Sequence, residues 1–196
     1  MHIGMDKLTA QQAALDVLGD YTLQPRTTQM IALDRHYAST LRFCVAQSNW
    51  SFARRVKHIT PNQDGTFTIP LDCLILREVR DADGRKLPRW QLVDRTIITE
   101  DAPSSLRVTY TTDYTISENG EVPDSAPTFA QYFVTLLAAR VTPTIMGGEE
   151  YSMQLAMSLE QKANAYRLRA ITQDRMQDAS NDQSPLRDLQ DLRRNR

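Results

Sequence analysis

Between Asn49 and Cys73 the chain changes its periodicity, and that change limits what it can fold into more than any other feature. Upstream, Met30, Leu33, Tyr37, Leu41, Cys44 and Ser48 recur at steps of three and four, which lays them along one stripe of a helix. Downstream of Trp50 and Phe52 the apolar residues fall towards a period of two, interrupted by Asp64-Gly65 and closed by Pro70-Leu71-Asp72-Cys73. A helix therefore ends at a large aromatic anchor and feeds directly into a hairpin. Trp50, Phe52, Pro70 and Asp72 are the expected residues of this helix–β joint.

A first helix is expected from a Thr9 cap to Gly19, with Ala14, Leu15 and Leu18 inward, and a second from a Thr27 or Thr28 cap. Expected strands are Arg54–Ile59, Thr66–Ile69, Leu74–Arg80, Lys86–Leu92, Thr96–Thr99 and Leu106–Tyr114. Asp64-Gly65 and Asp83-Gly84 read as hairpin turns, because glycine accepts the positive φ of a tight turn. After a polar loop, Thr128 is placed to cap a third helix through Phe129, Phe133, Leu136, Leu137 and Arg140, ended or kinked at Val141-Thr142-Pro143. Gly147-Gly148 breaks the chain before a fourth helix from about Glu149 to about Gln177, with Leu155, Leu159, Tyr166 and Ala170 on one face. At 1.5 Å per residue it runs roughly 40 Å, more than a domain of this size needs to bury.

The fold class expected is α+β: a helical bundle of about four helices with an inserted small antiparallel β domain. Residues 1–51 and 128–177 form the helical body, 52–127 the β module and 178–196 a flexible C-terminal arm. In that arm Leu186, Leu189 and Leu192 recur every third residue among arginines and aspartates. Alone, so short a segment is barely helical in water, so it reads either as a disordered end or as an arm that orders on a neighbouring chain.

At 196 residues the chain is long enough to bury a core. A net charge of −1 argues against a general nucleic-acid binder. The cations are nearly all arginine, which suits contacts with other proteins. Cys44 and Cys73 sit in apolar surroundings and read as small buried hydrophobes. No apolar run is long enough for a membrane span, and no secretion signal is expected from the N-terminus.

Catalytic strings are missing. His2, His36 and His58 have no metal spacing, and no HExxH, GxSxG or P-loop string occurs, so neither an enzyme nor a cofactor is expected. Asp81-Ala82-Asp83-Gly84 looks like the opening of a calcium loop but has its glycine in the wrong register and no closing glutamate. Asp72 and Glu78 read as alternating strand charges before they read as a nuclease pair. Arg54, Arg55 and Lys57, with His58, form the densest positive cluster: a solvated strand edge, a contact with an acidic subunit, or a DNA-binding patch. Residues 61–128 hold twelve Asp and Glu against seven Lys and Arg, so complementary faces within an oligomer are feasible.

The order of these parts resembles the head-to-tail adaptors of short-tailed phages, the tail tubular protein A type. The strings that carry the resemblance are Trp50-Ser51-Phe52, Ile69-Pro70-Leu71-Asp72-Cys73, Ile97-Ile98-Thr99-Glu100, Arg107-Val108-Thr109-Tyr110 and Leu137-Ala138-Ala139-Arg140, in that order, within roughly residues 8–176. The resemblance implies a structural virion protein without enzymatic activity, made in the host cytoplasm and lodged in the tail beneath the portal vertex. It implies a ring of about twelve copies that joins the portal protein to the tail nozzle protein, helps retain the genome, and surrounds double-stranded DNA in transit. Leu186, Arg187, Leu189, Leu192, Arg193 and Arg194 are then a candidate portal or subunit interface. The alternatives are a head-completion connector of a long-tailed phage, or a DNA-binding module using Arg54, Arg55 and Lys57.

Overall fold

A computed structural model describes residues 5–19, 27–100, 103–123 and 126–181. The chain is a mixed α and β structure with five helices and two antiparallel three-stranded sheets among these residues.

Helices α1 (Lys7–Leu18) and α2 (Thr28–Ala46) open the chain. The cap of α1 is Asp6 rather than Thr9: its carboxylate accepts the Thr9 N–H at 2.7 Å, and a carboxylate at a helix start also meets the positive end of the dipole. Thr27 caps α2 by accepting the Met30 N–H. Leu33, Tyr37, Leu41 and Cys44 are buried as the stripe requires, whereas Met30 is only half-buried and Ser48 lies beyond the helix end.

Strands β1 (Arg54–Ile59), β6 (Leu106–Thr112) and β3 (Cys73–Asp81) make one sheet in the order β1-β6-β3. The short β2 (Phe67–Thr68), β5 (Thr96–Thr99) and β4 (Trp90–Val93) make the other, in the order β2-β5-β4. Gly65 and Gly84 hold φ of 79° and 82°, as their turns demand. Of the expected 86–92 strand only residues 90–92 pair with β5, and the ladder runs on to Val93; Lys86 makes a single bridge to Arg80, and Pro88 between them has no N–H to extend a ladder.

β6 stops at Thr112, two residues short of the expected end at Tyr114, and the chain then makes one helical turn, α3 (Tyr114–Ser117), capped by Asp113 and not expected from the sequence. Helix α4 (Pro127–Ile145) has no side-chain cap, so Thr128 does not serve as one; Pro127 fills its first position, where a missing N–H costs nothing. Pro143 does not end α4. It sits in the last turn, and the helix closes at Met146, whose N–H reaches the Thr142 carbonyl. Helix α5 (Glu150–Asn181) runs 32 residues, about 48 Å, four residues beyond the expected end.

Two hydrophobic clusters hold this together. The larger packs α1, α2, α4 and α5 around Leu15, Leu33, Leu41, Phe129, Phe133 and Leu137. It also takes in Trp50, Ala53, Tyr114 and Val122, so the β segment contributes to the helical core at its two ends. The smaller lies between the sheets, with Phe67 and Ile97 from one against Val79, Leu106, Val108 and Tyr110 from the other. No described helix is long and apolar enough to cross a membrane.

Candidate assembly surface at the helix–sheet joint

Trp50 closes α2 and opens the β segment, and it is 1% exposed. Its indole N–H donates to the Cys44 carbonyl at 3.1 Å, which ties the ring to the last turn of α2. Phe52 stacks on it with centroids 5.7 Å apart, and Phe129 of α4 meets both rings edge-on. Such edge-to-face pairs are stabilising beyond their burial. Tyr114 completes the cluster: its ring meets Phe52 at 90° and its hydroxyl donates to the Phe52 carbonyl.

Pro70 and Asp72 lie at the other side of the joint. The Pro70 carbonyl accepts the Cys73 N–H and an Arg95 guanidinium. The Asp72 carboxylate accepts the hydroxyls of Tyr110 and Thr112, each at 3.0 Å, and Lys57 stands 3.4 Å away. Burial pushes this carboxyl up, but the Thr112 and Tyr110 hydrogen bonds and the Lys57 charge outweigh it, and the net is below the usual carboxylate range. The same interaction, after burial, drives the Tyr110 phenol upward.

Polar ties bind the joint to the end of α5. Both oxygens of Asp174 accept the Ser51 N–H at 3.0 Å, and the Ser51 hydroxyl donates to the same carboxylate at 2.6 Å. One turn further along α5, Asp178 pairs with Arg54. A cleft of about 450 Å³ opens beside these pairs, between the start of β1, the start of α4 and the last turns of α5.

Arg54, Arg55 and Lys57 of the basic cluster each pair with a carboxylate of the same chain. Arg54 pairs with Asp178, Arg55 with Glu118 at 3.0 Å, and Lys57 with Asp72. Asp72 and Glu78 do not share partners, since Glu78 takes Arg80 and Lys86. Asp81 serves its turn, accepting the Arg85 N–H at 2.8 Å. Among the described residues no three of His, Cys, Asp and Glu come together as a metal site. His36 is half-buried on α2, its imidazole pushed down by burial and then by the charges of Arg140 and Arg35; His58 is exposed on β1. Cys44 and Cys73 are both buried free thiols, pushed up by burial to about 12 and about 11.

Of the strings quoted above, Leu137, Ala138 and Ala139 are buried in α4, while Arg140 reaches across to the Thr40 hydroxyl of α2 at 3.0 Å and lies over the Phe43 ring. Leu186, Arg187, Leu189, Leu192, Arg193 and Arg194 lie outside the described residues. Sequence reasoning expected surplus length in this helix but named none of the apolar residues on the outer surface of α5, where Tyr151, Met153, Met157, Leu168 and Met176 are each more than half exposed. It also missed Asp174 and Asp178, which carry no local signal because their partners are more than 120 residues away.

No family model matches the chain, and none of the curated proteins searched matches it either.

Proposed function

We propose that the chain is a non-enzymatic structural subunit of a virion, the head-to-tail adaptor of a short-tailed phage. About twelve copies form a ring between the portal protein and the tail nozzle protein, help retain the genome and pass the double-stranded DNA. Its fold in this reading is a bundle of four helices, α1, α2, α4 and α5, carrying the two sheets as an inserted module. The protein is made in the host cytoplasm and ends in the tail, beneath the portal vertex.

The observation that carries the reading is the outer surface of α5. A helix of about 48 Å buries one side against α4 and leaves five large apolar side chains more than half exposed on the rest. A ring subunit needs two different faces that meet head to tail, and extra helix with exposed methionines supplies adaptable contact surface. The strings from Trp50 to Arg140 support the same family. A head-completion connector of a long-tailed phage shares the helical body and is the neighbouring reading. The DNA-binding module loses ground, because Arg54, Arg55 and Lys57 would each have to leave a carboxylate to meet a phosphate.

Mass measurement of the purified protein, alone and with portal, tests the proposal. A monomer alone or a closed ring on the portal is expected. A protein whose mass does not respond to portal refutes it.

A further inference from the structure

A pocket of about 300 Å³ opens between α2, α4 and α5, and it shares no lining residue with the cleft at the joint. Its walls hold two cations, Arg140 of α4 and Arg167 of α5, with Glu160 as the anion among them. Neither arginine meets a carboxylate among the described residues. Arg140 donates to the Thr40 hydroxyl and lies over the Phe43 ring, and Arg167 donates to the Asn164 side-chain oxygen at 3.0 Å. Burial and the Cys44 thiol push the Tyr132 phenol of this pocket up, while the charges of Arg167 and Arg140 both pull it down, so the two guanidinium groups converge here. Apolar side chains flank the spot. Phe43 is exposed on α2, and Met157 and Leu168 are exposed on α5 within one turn of Glu160 and Asn164.

The β4–β5 hairpin carries the complementary surface. Val93 pairs with Thr96, so Asp94 and Arg95 alone make the turn, with Asp94 at a φ of 52°. The Arg95 guanidinium turns back to the Pro70 carbonyl, which leaves Asp94 as the charge at the tip. Its carboxylate is exposed and has no hydrogen bond or ion pair among the described residues. Val93 and Ile98, both exposed, are diagonal neighbours on one face of the hairpin beside it. We infer that the β4–β5 tip of one copy docks in the Arg140–Arg167 pocket of the next, with Asp94 between the two guanidinium groups and Val93 and Ile98 against Phe43, Met157 and Leu168. Charge complementarity selects this occupant, since a carboxylate is what two unpaired guanidinium forks hold best once water leaves. Tip and pocket lie on different elements, so the contact is head to tail and repeats from copy to copy. The inference rests on the ring reading and names the two faces which that reading needs.

The test is a charge swap in the full chain, Asp94→Lys in one preparation and Arg167→Glu in another, with thermal melts to check folding. Sedimentation at concentrations up to about 1 mM should show weak self-association of the natural chain. Each variant should associate at least about tenfold more weakly. An equimolar mixture of the two should recover to within about threefold, because the reversed tip then meets the reversed pocket. Asp94→Asn, which keeps the left-handed turn, should weaken association without straining the hairpin. A natural chain that stays monomeric throughout, variants that associate as it does, or a mixture that fails to recover overturns the inference. So does salt-dependent binding of a DNA duplex that Arg167→Glu abolishes in a chain that does not self-associate, which would assign the arginines to phosphates. Portal separates the two readings. Rings that both variants still form on the portal overturn the docking alone, whereas association that follows the charge swap in a chain indifferent to portal overturns the ring reading alone.

Discussion

Replacing Trp50 by alanine tests the joint at its centre. The ring is 1% exposed, so its removal forfeits the transfer energy of a whole indole and leaves a cavity between α2, α4 and the start of β1. Buried aromatic deletions cost about 3–5 kcal/mol. The indole N–H bond to Cys44 adds about 0.5–1.5 kcal/mol, and no more, since that carbonyl also accepts the Gln47 N–H and is not orphaned. The edge-on contact with Phe129 and the stacking on Phe52 add about 0.5–1.5 kcal/mol each. Together these give a loss of about 4.5–9.5 kcal/mol, comparable with the whole stability of an ordinary domain. Trp50→Phe keeps most of the ring and loses the donor, so about 1–3 kcal/mol is expected. Urea unfolding of the phenylalanine variant, followed at constant slope, measures the smaller loss, and the alanine variant should be largely unfolded without denaturant. A Trp50→Ala protein that unfolds within about 1 kcal/mol of the natural chain would refute the view of this ring as the anchor between helices and sheets.

Other consequences follow from the same contacts. Asp72 has a folded pKa below its unfolded value, so its contribution is present above the unfolded pKa and is lost as pH falls through the folded one; Asp72→Asn should flatten the acid side of the stability–pH profile, read by thermal melts in a pH series. Cys44 and Cys73 are buried thiols with raised pKa, so a thiol reagent at neutral pH should label neither until the chain is unfolded, and rapid labelling of Cys44 in the native protein would contradict its packing. Asp174→Ala removes the acceptor for the Ser51 N–H and hydroxyl and should cost about 1–3 kcal/mol in urea unfolding. Ending the chain before Pro185 should leave the melting temperature unchanged and weaken assembly on the portal; a truncated chain that fails to fold would place the segment in the core instead.

The helix stripes and strand runs were legible because burial on one side leaves a period, and Arg54–Ile59 and Thr96–Thr99 match their expected bounds. What the period could not give was partnership. Asp34 lies off the apolar stripe of α2, yet it accepts from Lys7 and Gln11 and ties α2 to α1. Asn119-Gly120 is a left-handed pair within what looked like plain loop; the turn it makes presents the Gly120 carbonyl to the Tyr37 hydroxyl at 2.8 Å, and the dipeptide itself was the available signal. Helix α4 runs two residues past Pro143 because a proline in a final turn forfeits only one late hydrogen bond. At the joint, Trp50, Phe52 and Asp72 were legible as types, whereas the carboxylates that complete it on α5 were not, because long-range pairing leaves no trace in local spacing.

That distance also orders events in time. Ser51 and Asp174 are 123 positions apart, so on a ribosome the tryptophan anchor emerges well before the carboxylate that fastens it. Until α5 is made, Ser51 and Arg54 keep their water, and the start of β1 is a loose end on a forming sheet. The clasp thus forms late: the joint is fastened only once α5 has been synthesised.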